Sequence, residues 1–303
     1  MSKFDLEKQL KPYSLKLPFN KTVLAVSNPP VHVLWRCCND RAVKVSRVTL
    51  PVTDGEIAVD LFSDKANGWG NRILFYCHGG GFGLDASPQH KKIAFEFAKN
   101  GYLVVLPHYR LIPKYRYPTA RNDVFAAYKW MCSTLDLTDC KVVIGGDSAG
   151  GCLTTQLVKD VTDGGLLAPS GQMMLYPVID SSCSTESMKK YPDSPLWDGK
   201  NNVVMWQLLL DGVEDVSEAS PLTATLPSVV PPAYMEVAEV DCLHDEGVAY
   251  CNRLQQVGTE VELHQVDRAF HGYDIAYDSD VVKRCRKTRL EFCNKVTSSD
   301  KKQ

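Results

Sequence analysis

Charge of one sign is the first thing this chain lacks. Its 36 acidic and 34 basic side chains leave a formal charge of −2 over 303 residues. So small an imbalance offers nothing to a nucleic acid or an anionic membrane surface, and neither is expected as a partner. Paired cysteine motifs are missing as well. The eleven cysteines are odd in number and none forms C-x-x-C; Cys37 and Cys38 are adjacent, and the rest are scattered. A disulfide framework and a structural zinc site are therefore not expected. Most of these cysteines read as small buried hydrophobes in a reducing compartment. The opening MSKFDLEKQLKPYSLKLPFN has no uninterrupted apolar core of the kind a signal peptide needs. No window reaches the apolar length required to span a bilayer. Repeats and low-complexity tracts are also absent. Together these absences lead to the expectation of a soluble, cytoplasmic protein without a membrane partner.

What is present is apolar sequence, 44% of the chain, enough for one large core or for a core with a lid. From about Val45 the segments alternate. KVSRVTLPV and IAVDLFS read as a hairpin around Asp54-Gly55. RILFYC, LVVLPHY, KVVIGG, QMMLYPVI, AYMEVAEV and VELHQV are short runs rich in β-branched and aromatic residues. Helical spacing separates most of them, as at His90–Asn100, Asp123–Leu135 and Gly247–Val257. The basic run KRCRKTR, from Lys283, reads as a solvated helix face. Alternating strands and helices predict an α/β fold: a mostly parallel sheet of eight strands with an antiparallel start, covered by helices on both faces. Residues 43–180 and 229–303 are expected to form that domain. Residues 1–42 and 181–228 break the alternation, and both are expected to cap it. The second is rich in aromatics and reads as a lid at the strand-end face of the sheet.

The stretch VVIGGDSAGG, Val142 to Gly151, places one hydroxyl among small residues between a predicted strand and a predicted helix. In that context G-x-S-x-G marks a sharp turn that exposes Ser148 at a helix N-terminus. A serine hydroxyl attacks a carbonyl only if a base takes its proton. His271, after the last predicted strand in AFHGYD, fits that role. His244, just inside a helix start, and His264, within a strand, read as structural. An acid must orient the histidine. Asp241 ends a strand and is favoured; Asp245 is the rival, and Asp245 and Glu246 are otherwise explained as complements to a helix dipole. The glycines of CHGGGF, Cys77 to Phe82, let backbone N–H groups approach an oxyanion, with the N–H of Ala149 as a further donor. His78 reads as an anchor of that loop.

HGGGF, GDSAGG, DCLHDEG and FHGY, in this order, resemble the hormone-sensitive-lipase-like branch of the α/β-hydrolases, a family of carboxylic ester hydrolases. The resemblance runs from about Arg72 to Asp274 and includes YRLIPKYRYPTARNDV and ASPLTATLPSVVPP. It implies Ser148 as nucleophile, Asp241 as acid and His271 as base, with oxyanion donors at Gly80, Gly81 and Ala149. It also implies a lid built from the N-terminal segment and the later insertion. Lys114 stands where the family usually has an acidic residue. Some relatives bind ligands and lack the histidine, which this chain keeps. The expectation is a serine carboxylesterase for short-chain, small-molecule esters, without metal or cofactor. Phe82, Trp197 and Trp206 are assigned to its substrate pocket, and a homodimer is allowed for. Cleavage of amides, or a ligand-binding homologue without turnover, are the alternatives.

Overall fold

Strand-forming runs and amphipathic helices alternate along most of the computed structural model, which describes residues 4–298. The chain begins with a short 3₁₀ turn at Lys11–Tyr13 and helix α1, Lys21–Cys37. Asn20 starts α1 by accepting a hydrogen bond from the N–H of Val23 at 3.0 Å, which satisfies one orphan donor of the first turn. The strands are β1 (Val43–Val52), β2 (Gly55–Asp64), β3 (Arg72–Cys77), β4 (Tyr102–His108), β5 (Lys141–Asp147), β6 (Gly171–Leu175), β7 (Ala233–Val240) and β8 (Val261–Phe270). They form one sheet in the order β1-β2-β4-β3-β5-β6-β7-β8. β1 and β2 pair antiparallel, β2 meets β4 antiparallel, and the other pairs are parallel. The hairpin turns at Asp54, whose φ is +60°.

The central strands have apolar side chains on both faces because helices cover both. All five residues of β6 are buried, whereas the edge strand β1 is mostly exposed. The covering helices are α2 (Pro88–Lys99), α3 (Thr119–Thr134), α4 (Ala149–Asp163), α7 (His244–Gln256) and α8 (Asp280–Thr297). α4 packs against β3, β5 and β6, and eleven of its residues are buried. Two further helices, α5 (Glu186–Lys190) and α6 (Gly199–Leu210), lie between β6 and β7.

The expected eight strands and their antiparallel start are present. One reading is overturned. The run from Lys283 to Arg289 is not a uniformly solvated face, because Arg289 is only 1% exposed. It falls on the stripe of Val282, Phe292 and Cys293, all buried, at helical spacing.

The stretches before β1 and between β6 and β7 are sewn together. The Leu196 N–H donates to the Leu15 carbonyl at 2.7 Å. Asn201 donates to the Leu17 carbonyl at 2.8 Å and accepts from the Phe19 N–H at 3.2 Å. Phe19 and Trp197 then meet edge to face, 5.0 Å between ring centres.

Candidate active site

Ser148 sits between β5 and α4 with φ +53° and ψ −120°. A serine held there is strained, by about 1–3 kcal/mol, and the surroundings fix it. Its N–H donates to the Leu175 carbonyl at 2.9 Å, and its own carbonyl accepts from Val178 at 3.0 Å and Gly151 at 2.9 Å. The glycines around it answer to close packing. A methyl at Gly150 would lie 2.0 Å from the Cys77 carbonyl oxygen, and one at Gly146 would lie 2.4 Å from the Gly150 carbonyl oxygen. Only hydrogen fits where strand and helix backbones nearly touch.

β8 ends at Phe270, and Gly272, with φ +70°, turns the chain just past His271. His271 Nε2 lies 2.9 Å from Ser148 Oγ, and its Nδ1 lies 2.8 Å from Asp241 Oδ2. Asp241 follows β7 directly and is fully buried; its other oxygen accepts from the Leu243 N–H at 2.9 Å. With Nδ1–H donated to Asp241, Nε2 is free to accept the serine proton. Asp245 is elsewhere. It accepts from the Ser187 N–H at 2.8 Å and meets His244 Nδ1 at 2.8 Å, so it ties α5 to α7. Glu246 stands in the first turn of α7, as expected, but its carboxyl is turned inward. It is wholly buried and accepts from the N–H groups of Ile179 and Asp180 at 2.6 and 3.3 Å. Burial pushes its pKa well above the ordinary value. His264 stacks on Tyr234, 4.6 Å between ring centres, and His244 reaches Gln265 at 3.1 Å.

The loop after β3 packs against the turn that holds Ser148: a methyl at Gly79 would lie 2.9 Å from the Asp147 carbonyl oxygen. Gly80 accepts, through its carbonyl, from the N–H groups of Gly83 and Leu84 at 3.0 and 2.9 Å. The turn is closed by that carbonyl, which leaves the Gly80 and Gly81 N–H groups outside its hydrogen bonds. Ala149 supplies a third N–H in the first turn of α4, a position with no partner inside the helix. Phe82 is buried with φ +56°, and its carbonyl accepts from Ile112 at 2.9 Å. A methyl at Gly81 would lie 2.7 Å from Trp197 and 3.0 Å from Phe19. Trp197 also lies 6.1 Å from the His271 ring, centre to centre. Trp206 is buried on α6, and its ring nitrogen has no hydrogen-bond partner among the described residues.

Sequence reasoning read His78 as an anchor of this loop but missed the other groups that brace it. Asp147, the second residue of the GDSAG turn, accepts from the Gly79 N–H at 3.0 Å and from Tyr76 Oη at 2.9 Å, and meets His90 Nε2 at 3.2 Å. Burial opposes its charge, but His90 and the donated hydrogen bonds outweigh that and lower its pKa to about 2. His78 donates through Nδ1 to the Gly79 carbonyl at 2.7 Å and stacks on Tyr109 at 4.3 Å. Burial lowers its pKa to about 4. From α1, Asn28 donates to the Gly83 carbonyl at 3.0 Å and accepts from the Asp85 N–H at 2.9 Å. His32 meets Asp85 at 2.7 Å. The prolines at 29 and 30 hid this helix, since proline interrupts an α-helical pattern. Lys114 has its ammonium 4.9 Å from the centre of the Tyr115 ring.

A family model described as alpha/beta hydrolase fold matches residues 74–275. Ethyl acetate hydrolase of Pseudomonas putida is 33% identical over 207 residues, covering 66% of this chain and 65% of that protein. The carboxylic ester hydrolase LipN of Mycobacterium tuberculosis is 31% identical over 264 residues, 82% of this chain and 66% of its own length. The chain thus spans about two thirds of the relatives it matches. Among solved structures, a bacterial heroin esterase superposes with a TM-score of 0.87 at 26% identity, covering 97% of this chain and 99% of that one. Esterase LipW of Mycobacterium marinum superposes with a TM-score of 0.89 at 23% identity, over 97% of each chain, a likeness of fold. No helix among the described residues is long and apolar enough to cross a membrane.

Proposed function

Since the chain belongs to the alpha/beta hydrolase family, we propose that it is a serine carboxylesterase acting on short-chain esters of small molecules. The observation that carries this is the run of contacts from Asp241 through His271 to Ser148, at 2.8 and 2.9 Å. The names of ethyl acetate hydrolase and LipN among its relatives support it.

In this reading His271 Nε2 takes the proton as Ser148 Oγ bonds to the ester carbonyl carbon. The carbonyl oxygen becomes an oxyanion, held by the N–H groups of Gly80, Gly81 and Ala149. The intermediate collapses, the ester C–O bond breaks, and the imidazolium returns its proton to the departing alcohol. Water then adds to the acyl-enzyme with His271 again as base, releasing the acid and restoring Ser148. Asp241 keeps Nδ1 protonated and stabilises the imidazolium. The described part of residues 1–42, together with 181–228, acts as the cap. Phe19 and Trp197, one from each stretch, close over Gly81 and bound the space left for an acyl chain.

The decisive experiment is hydrolysis of p-nitrophenyl butyrate by the wild type and by Ser148→Ala. The variant is expected to fold and to lose about three or more powers of ten in kcat. Near wild-type turnover by the pure variant would reject the assignment.

A further inference from the structure

Arg289 is a cation in a place where an apolar residue would pack. It lies on the buried stripe of α8, 1% exposed. Its guanidinium forks twice. One fork holds Glu236 of β7, Nε to Oε2 at 3.1 Å and Nη2 to Oε1 at 2.5 Å. The other holds Asp274, Nη1 to Oδ1 and Nη2 to Oδ2, both at 2.9 Å. Tyrosine hydroxyls complete the set. Tyr273 and Tyr234 donate to Glu236, and Tyr176 donates to Asp274 at 2.6 Å.

These partners belong to the two segments that carry the acid and the base, and to the one that lies beside the serine. Glu236 is on β7, the strand that Asp241 directly follows. Asp274 lies just past His271, in the turn that follows it. Tyr176 directly follows Leu175, whose carbonyl accepts the Ser148 N–H. Its ring also sets its edge against the His271 imidazole, 5.0 Å between centres. One side chain from a distant helix therefore joins the strand of the acid, the loop of the base and the segment beside the serine.

Such a group is a poor way to gain stability. Removing two carboxylates and a guanidinium from water is expensive, and apolar packing of similar volume often does as well or better. What the forks add is direction, since a planar guanidinium bound along two of its edges fixes both carboxylates relative to each other. We infer that Arg289 is a positioning residue, which sets the separation of the Asp241 strand from the His271 loop through Glu236, Asp274 and Tyr176. The inference rests on the proposed esterase reading.

The test uses a p-nitrophenyl phosphonate ester as an irreversible probe. Ser148 Oγ bonds to phosphorus, p-nitrophenolate leaves, and the serine proton passes to His271. The amplitude of released nitrophenolate counts folded sites, whereas the rate constant reports how well the base is placed. Arg289→Met with Glu236→Gln and Asp274→Asn removes all three charges together and leaves none buried alone. Arg289→Lys keeps the charge without the forks. Tyr176→Phe removes one hydroxyl and keeps the ring. The triple variant is expected to keep full amplitude and to label about 10–100-fold more slowly, with kcat falling in parallel and KM within about threefold. Arg289→Lys and Tyr176→Phe should fall between it and the wild type. Full amplitude with a wild-type rate constant in the triple variant overturns the inference. If that variant fails to fold, the other two decide: slowed labelling sustains the inference, and wild-type rate constants in both overturn it. Failure of the wild type to label, or labelling of Ser148→Ala at the wild-type rate, overturns the esterase reading and this inference with it.

Discussion

Asp241 Oδ2 stands 2.8 Å from His271 Nδ1, while Asp245, one helical turn further on, points to Ser187 and His244 instead. The two carboxylates share a motif and a neighbourhood but have different partners. Asp241→Asn is expected to lower kcat by about 10³–10⁴-fold, because an amide at that position favours the wrong imidazole tautomer. Asp245→Asn weakens one hydrogen bond between α5 and α7. That costs about 1 kcal/mol of stability and leaves kcat nearly unchanged. Steady-state kinetics and thermal melts of the two purified variants give the comparison. Equal losses of kcat would remove the distinction.

Asn28 reaches the glycine loop from α1 with both ends of its amide. Asn28→Ala leaves the Gly83 carbonyl and the Asp85 N–H without that partner and loosens the turn that carries Gly80 and Gly81. The expected result is a kcat reduced about 10-fold, in keeping with one weakened oxyanion donor or less. KM should change little, since the side chain meets the loop and not the substrate. Unchanged kcat would show that the loop keeps its shape without the Asn28 amide.

How much of this was legible in the sequence depends on how local the signal is. Ser148, His271 and Asp241 are marked by strand ends and small residues next to them in the chain, so order along the sequence carries them. The hairpin at Asp54-Gly55 and the parallel strands are legible for the same reason. Asn28, Asp147, Arg289 and Tyr176 act across long separations. Each looks ordinary within its own segment: Asn28 stands before two prolines, and Arg289 ends a basic run. Arg289 alone left a usable sign, its place on the Val282–Phe292 stripe. Asp245 could not be set aside from sequence, because spacing does not tell which way a carboxylate turns.

His78 predicts a specific loss of stability in acid. It is buried against Tyr109, with His90 and His108 rings nearby and Asp85 Oδ1 3.7 Å from its Nε2. Burial lowers its pKa from 6.5 to about 4, so the unfolded chain binds a proton that the folded one refuses. Its contribution is complete above pH 6.5 and is lost as the pH falls toward 4, at most about 3 kcal/mol. Asp147, lowered from 3.8 to about 2, adds a second loss between those values. His108 has the opposite sign. Burial opposes its charge, but Asp60 and Asp85 outweigh that and raise its pKa. Its contribution is present below pH 6.5 and fades as the pH rises through the raised value. His78→Phe keeps a ring against Tyr109 and removes the titrating group. In urea unfolding, the stability of the wild type relative to this variant should fall as the pH drops from 6.5 toward 4, because the raised carboxyl of Glu246 acts on both curves alike. Parallel decline in both would mean that His78 takes up its proton while folded.

Trp197 gives the prediction about substrate length. A methyl at Gly81 would meet this ring at 2.7 Å, and the ring lies 6.1 Å from that of His271. In the proposed esterase reading it therefore stands where an acyl chain leaving the glycine loop would run. Each methylene that fits an apolar pocket adds about 0.8 kcal/mol of burial. The gain stops where the chain meets the indole. Across acetate, butyrate, hexanoate, octanoate and palmitate p-nitrophenyl esters, kcat/KM is expected to rise to a maximum at a few carbons and then fall. Trp197→Ala should move that maximum toward longer chains by opening the wall next to Phe19. It should do so without the loss of kcat on acetate that follows damage to His271, since the indole accepts no proton and touches neither Asp241 nor Ser148 by hydrogen bond. The Trp197 ring nitrogen is 3.3 Å from Asn202 Oδ1, so Trp197→Phe, which drops that bond but keeps a ring, separates the wall from the hydrogen bond. A wild-type maximum at octanoate or beyond would reject the short-chain reading. A maximum that stays in place in Trp197→Ala would move the acyl site away from this ring.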